Sequence, residues 1–328
     1  MKIIAENPKI KVFFLPVNTG FVINGLPDQR CIEFYSERSG NGIDCSIVGN
    51  VVISDGYGAN NVCSTISNDK VWETLSTAIS SNGTKPGIQL SSTWDGYSGN
   101  KKFVASRNEN PIKDYKKSVS NIKLPAIENI LFNLRNSIEL SINAGFKHIQ
   151  VHAAHGYLFS LLIDPSFSVY SNFFLNELKK IATDLKFKGI ESSIRFSLLT
   201  GSQKLDEDRE SLINQIMETG FDFFDVSFGF YNINKNLIYP ETSSALKSRR
   251  LKTIELANKY SDKKIIISGK MNKTQCYNLP SNIHLGICRD LIANPKALSE
   301  PKNGCRNCGD CHYYSKGKQS LKCGVFNS

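Results

Sequence analysis

Apolar, β-branched runs recur along the chain at roughly residues 11–15, 47–54, 86–90, 148–153, 192–198, 222–227, 264–268 and 283–287. Each is followed by a loop or by a stretch with helical spacing, and eight such units in alternation predict an α/β fold, a (β/α)8 TIM barrel. The helical signal is plainest over 125–144. Pro125 suits a first turn, Ile127, Ile130, Leu131, Leu134, Ile138 and Ile142 recur on one face, and Gly145 ends the run. Further helices are expected around 172–185, 206–219, 243–260 and 289–299. The polar stretches 57–71 and 91–118 are too long for plain connectors and are candidate lids over the barrel mouth.

Composition adds bounds. With 328 residues and 40% hydrophobic content the chain can bury one large core, expected over residues 1–300, with a cysteine-rich tail over 301–328. The early run IKVFFLPV is too short for a signal-peptide core, and no run approaches the ~20 apolar residues of a membrane span. A cytoplasmic protein that does not enter membranes is therefore expected. Forty basic against thirty acidic residues give +10, which suits an anionic substrate, a phosphate-bearing cofactor or nucleic acid; a solvated basic surface is the simplest source.

The segment HIQVHAAHGY, residues 148–157, carries the most chemistry. Period 2 places His148, Gln150 and His152 on one strand face and Ile149, Val151 and Ala153 on the other. His155 and Tyr157 follow just past the strand's carboxyl end, where barrel enzymes keep their active sites, and Gly156 between them permits a tight turn. Isolated histidines are more often structural, so it is the grouping that points to catalysis.

Nine cysteines form two populations. Cys31, Cys45, Cys63, Cys276 and Cys288 are scattered and read as small thiols in a reducing compartment. Cys305, Cys308, Cys311 and Cys323 form C-x2-C-x2-C-x11-C in a tail with five basic residues and one acidic one. Three cysteines at two-residue gaps and a distant fourth suit a [4Fe–4S] cluster, with a four-thiolate zinc site as the alternative and disulfides a poor third.

HAAHGYL resembles the strand-four signature of the Old Yellow Enzyme family of FMN-dependent NAD(P)H:flavin oxidoreductases. LPVNTGFVINGLP, FYSERSGNG, VVISDG, GIQL, IRFS, DVSFG, IISGK and CRDLIANP follow in the family's order, so the resemblance covers about residues 10–300. It implies FMN bound at the barrel mouth. Gln89 and Arg195 match residues at the flavin's pyrimidine edge, Thr19 and Gly56 match residues near O4 and N5, and Gly269 and Arg289 match the phosphate cradle. It further implies that NAD(P)H reduces FMN, which passes hydride to an alkene conjugated to a carbonyl. His152 and His155 would hold the activating oxygen, and Tyr157 would protonate the α-carbon. The tail resembles the iron–sulfur branch of the family that includes 2,4-dienoyl-CoA reductase and trimethylamine dehydrogenase. In that branch a further flavin domain feeds electrons through the cluster. Here the sequence stops five residues beyond Cys323, which leaves a separate redox partner protein or direct reduction by nicotinamide as the expected donor.

Four departures from the family pattern bear on these expectations. The branch usually has three residues between its second and third cysteines where this chain has two. Cys288 replaces the glycine usual before the phosphate arginine, so its Cβ is expected to restrict φ and crowd the phosphate. Ser91 and Ser92 replace a Trp-His pair, leaving Trp94 nearby. After HAAHGYL the chain runs LFSLLIDPSFSVYSNFF, keeping only Asp164-Pro165 as an echo of the usual motif. Two other readings stay open: an FMN barrel acting on RNA, resembling dihydrouridine synthases, and a decayed barrel serving as an electron-transfer or scaffold subunit. Tyr157 in HAAHGY weighs against RNA, because the synthases use a cysteine acid in a different loop.

Overall fold

The computed structural model of the protein describes residues 10–99, 110–271 and 279–325; Cys276 and part of the 91–118 stretch lie outside them. Eight parallel strands close into a barrel: β1 (Val12–Phe14), β4 (Cys45–Val52), β5 (Lys85–Ser91), β6 (His148–Ala153), β7 (Glu191–Ser197), β8 (Phe223–Ser227), β9 (Ile265–Ile267) and β10 (Ile283–Ile287). β1 pairs with both β4 and β10, which completes the ring. A small antiparallel pair, β2 (Val22–Ile23) and β3 (Leu26–Pro27), lies between β1 and the first long helix. All eight barrel strands coincide with the apolar runs of the sequence to within two residues. The (β/α)8 barrel is therefore the fold.

Period 2 divides each strand between two environments. Ile88, Leu90, Ile149, Val151, Ile194, Phe196, Phe224 and Val226 join the large cluster that the outer helices cover. Facing inward, Phe13, Leu15, Cys45, Ile47, Phe223 and Ile266 form a separate apolar plug. A polar layer also fills the interior: Gln89 donates to Gln150 (2.6 Å), and Gln150 donates to Ser193 (3.0 Å) and Asp225 (3.2 Å). Burial of these polar groups is tolerable because each has partners.

The helices follow their sequence signals with instructive exceptions. Leu124–Asn143 begins with Pro125 in its first turn, buries Ile127, Leu131, Leu134 and Ile138, and is followed by Gly145 at φ 91°. The helix expected over 206–219 is split into Gln203–Asp206 and Glu210–Met217. Asp206 there accepts from Thr200 N (2.6 Å) and Gly201 N (2.9 Å), and Arg209 turns inward to Asp164 at 2.6 Å. The one expected over 289–299 stops at Ala293, since Asn294 precedes Pro295 and is extended at φ −149°, ψ 116°. Within the expected lid 91–118, the segment Asn110–Ser120 is helical.

The tail packs onto the barrel. Leu321 N donates to Thr19 O at 2.7 Å, the Tyr313 hydroxyl donates to Asn18 at 3.0 Å, and both side chains are buried. A Cβ at Gly20 would lie 2.3 Å from Gln319 O, so this docking requires glycine there. No helix among the described residues is long and apolar enough to cross a membrane.

Candidate active site

A cavity of about 260 Å³ opens over the carboxyl ends of the barrel strands. Its wall includes His152 at the end of β6, His155 and Tyr157 in the loop beyond, Gln89 of β5, and Arg195 of β7. Gly269 after β9 and Arg289 after β10 belong to the same wall. Seven expected residues thus meet around one space. Thr19 and Gly56 do not belong to the wall: the Thr19 hydroxyl accepts from Phe21 N at 3.2 Å, and Gly56 packs against Ile53 and Ser92.

The imidazoles are held in defined states. The His152 and His155 rings are 5.1 Å apart and nearly perpendicular, and Tyr157 lies 5.0 Å from His152. Burial, reinforced by Arg195 and for His155 also by His152, holds both histidines well below the ordinary imidazole range, so both are neutral at pH 7. His152 Nδ1 accepts from Ala154 N at 3.3 Å, which leaves the ring's proton on Nε2 as a donor. His155 is in the left-handed region at φ 67°, pinned by its own N–H to Ser197 Oγ (2.9 Å) and by Nε2 to Ser227 Oγ (2.7 Å). A non-glycine residue held there costs about 1–3 kcal/mol, a local strain that aims the ring. Gly156 follows at φ 78°, where a Cβ would strike the Tyr115 ring at 2.8 Å or closer. Burial pushes the Tyr157 phenol well above its usual range, so it is protonated at neutral pH.

Arg195 anchors a second network. Its guanidinium meets Asp225 at 2.5 Å and donates to Ser227 Oγ at 3.3 Å, the same hydroxyl that meets His155. Asp225 is fully buried, and its Oδ1 has no partner among the described residues.

The sequence did not point to several wall residues. Arg249, on the helix Ser243–Lys259, donates to Ser268 Oγ at 2.6 Å and Leu237 O at 3.1 Å. Burial, reinforced by Arg195 and Arg289, lowers its guanidinium to about 9, and its Nε lacks a partner among the described residues. It adjoins Gly269, whose φ of 102° strains any other residue and whose added Cβ would lie 3.3 Å from Arg249. Lys235 is buried and lowered to about 8 by burial, with Nζ 2.6 Å from Ser315. Tyr231 stacks on Tyr157 at 5.4 Å and its hydroxyl meets that of Tyr239 at 2.8 Å. The tail completes the wall with Cys311, His312, Tyr313, Tyr314 and Ser315. In sequence, Arg249 lies in the basic run KSRR and looks like a solvated surface residue.

Cys288 also lines the cavity. Its φ is −135°, outside the left-handed region that favours glycine. Burial raises its thiol to about 12.

Cys305, Cys308, Cys311 and Cys323 all line one small cavity of about 20 Å³ that shares Arg289, Ile292, Cys311 and His312 with the large one. All four are free thiols. No three His, Cys, Asp or Glu side chains among the described residues are grouped so as to hold a metal ion.

The wall chemistry suits a flat, phosphate-bearing cofactor. Arg249, with an unpartnered Nε, lies beside Gly269, and Arg289, the amide of Gln89 and the Arg195 guanidinium belong to the same wall.

No protein-family model matches the sequence, and no curated protein matches it. Solved structures do match. One, described as a complex of 2-naphthoyl-CoA reductase with 2-naphthoyl-CoA, superposes with a TM-score of 0.72 at 17% identity, over 96% of this chain and 54% of that one. This chain therefore spans about half the length of that neighbour, and the likeness establishes the barrel fold.

Proposed function

We propose that the protein is an FMN-dependent oxidoreductase of the Old Yellow Enzyme type that reduces an alkene conjugated to a carbonyl or acyl group. The observation that carries this reading is the convergence of two neutral imidazoles, a protonated phenol and a buried arginine on one cavity at the strand ends. The neighbour's ligand, a conjugated ring bearing an acyl thioester, agrees with this substrate chemistry.

Arg249, Arg289 and the Gly269 backbone would hold the FMN phosphate, and Gln89 and Arg195 its pyrimidine edge. When bound, FMN supplies hydride, with NAD(P)H as the reductant. His152 Nε2–H and His155 hold the carbonyl oxygen of the substrate and stabilise the charge that develops on it. Tyr157 gives its phenolic proton to the α-carbon, a contribution of about 10²–10⁴ in rate. The packed aromatic rings around Tyr157 keep water from competing for that proton. Cys305, Cys308, Cys311 and Cys323 are the proposed ligands of a [4Fe–4S] cluster. That all four line one small cavity supports this role, although assembling the cluster would have to draw the thiols closer together than they stand here.

Anaerobic stopped-flow with cyclohexenone tests the assignment. Tyr157→Phe should leave flavin reduction by nicotinamide intact and slow reoxidation by the enone by about 10²–10⁴. Unchanged reoxidation would remove Tyr157 from the reaction.

A further inference from the structure

Of the buried side-chain polar atoms without a partner among the described residues, two belong to the wall of the large cavity: Arg249 Nε and the Tyr97 hydroxyl. Arg249 adjoins Gly269 at the proposed phosphate end. Tyr97 is elsewhere, beside the proposed proton donor.

The Tyr97 ring is fixed by its neighbours. It meets Trp94 edge to face at 4.9 Å and Tyr157 edge to face at 5.6 Å, and its backbone N–H donates to Trp94 O at 3.1 Å across a turn. Those contacts use the ring and the backbone. The hydroxyl takes no part in them, yet it is shielded from solvent. A buried hydroxyl with no partner costs stability, whereas phenylalanine would make the same ring contacts without that cost. Folding therefore does not account for the oxygen. A bound ligand would, because a molecule held by His152 and His155 within reach of Tyr157 also comes beside Tyr97. Burial holds this phenol well above its usual range, so it presents a proton and acts as a hydrogen-bond donor.

We propose that Tyr97 is a substrate-recognition residue whose hydroxyl donates to a second acceptor atom of the bound conjugated substrate, distinct from the oxygen held by His152 and His155. The inference rests on the ene-reduction reading and narrows its substrate class. The preferred substrates are flat, conjugated molecules bearing two acceptor groups, such as a ring with a second carbonyl or a ring oxygen.

The test compares wild type with Tyr97→Phe using two probes, cyclohexenone with one carbonyl and ketoisophorone with two. Binding to the holoenzyme is measured by calorimetry, and melting temperature is measured without probe. The expected result is roughly tenfold weaker ketoisophorone binding in the variant, little change for cyclohexenone, and a melting temperature equal to or above that of wild type. Equal affinities of variant and wild type for ketoisophorone would overturn the proposal. So would a clear fall in melting temperature, which would show that the hydroxyl has a structural partner. If wild-type holoenzyme binds neither probe, the ene-reduction reading itself fails and this assignment with it.

Discussion

The pair Arg195–Asp225 links stability to function and can be separated experimentally. Asp225 is fully buried, the Arg195 side chain is 13% exposed, and the two meet at 2.5 Å. Asp225→Ala leaves a nearly buried guanidinium without its counter-charge, and Gln150 loses an acceptor as well. Breaking a buried pair from one side costs about 3–5 kcal/mol. An unfolding entropy of about 2.1 cal/mol/K per residue comes to roughly 0.7 kcal/mol/K for this chain, so the melting temperature should fall by roughly 4–7 °C. Arg195→Met strands the carboxylate and should cost a similar amount. The double variant Asp225→Leu with Arg195→Met should regain most of the loss, since apolar side chains of similar volume replace both charges. Flavin content should not return with it, because Arg195 is the group proposed to meet the flavin. Circular dichroism melts and flavin absorbance of the four proteins give both readouts. A double variant no more stable than either single, or one that regains flavin, would refute this account of the pair.

Other outcomes follow from the same geometry. Gly269→Ala forces a Cβ onto a φ of 102° beside Arg249, at a cost of about 1–3 kcal/mol, and should weaken FMN retention on dialysis more than Gln89→Ala does. Gly156→Ala places a Cβ 2.5 Å from the Tyr115 hydroxyl and should misplace both His155 and Tyr157, so enone turnover should fall while a urea titration shows a destabilised but folded protein. For pH, His152 and His155 have folded pKa values depressed below their ordinary 6.5 by burial first. The unfolded chain then binds more protons, so stability is complete above about pH 6.5 and is lost as pH falls below it, by up to about 1.4 kcal/mol per pH unit for each ring. Urea midpoints between pH 7.5 and 5 should decline less steeply for His152→Gln with His155→Gln than for wild type; equal slopes would contradict buried neutral imidazoles.

The barrel was legible because each strand carries its own signal. Runs such as IIISG and FFDVSFG are too apolar and β-branched to be anything but buried strands, and period 2 put His148, Gln150 and His152 on one face, which the barrel turns inward. Helix ends were less legible where a tertiary contact decided them: Asp206 and Arg209 divide one expected helix through bonds to Thr200 and Asp164 that no local pattern shows. The histidine and tyrosine grouping could be read because its members lie within ten residues. Arg249, Tyr231, Tyr97 and the tail's His312–Ser315 could not, because only barrel closure and the return of the tail over β1 bring them to the same cavity. Thr19 illustrates the converse. Its neighbour Asn18 lines the cavity while Thr19 turns away, a one-residue difference that sequence spacing does not register.

The central claim is that this cavity holds a redox-active flavin next to Tyr157. Its most direct test is the visible spectrum of anaerobically purified wild-type protein before and after NAD(P)H, and again after cyclohexenone. The account predicts a yellow or yellow-brown protein that bleaches with nicotinamide and regains its colour with the enone. A colourless protein that retains no FMN on reconstitution would contradict it.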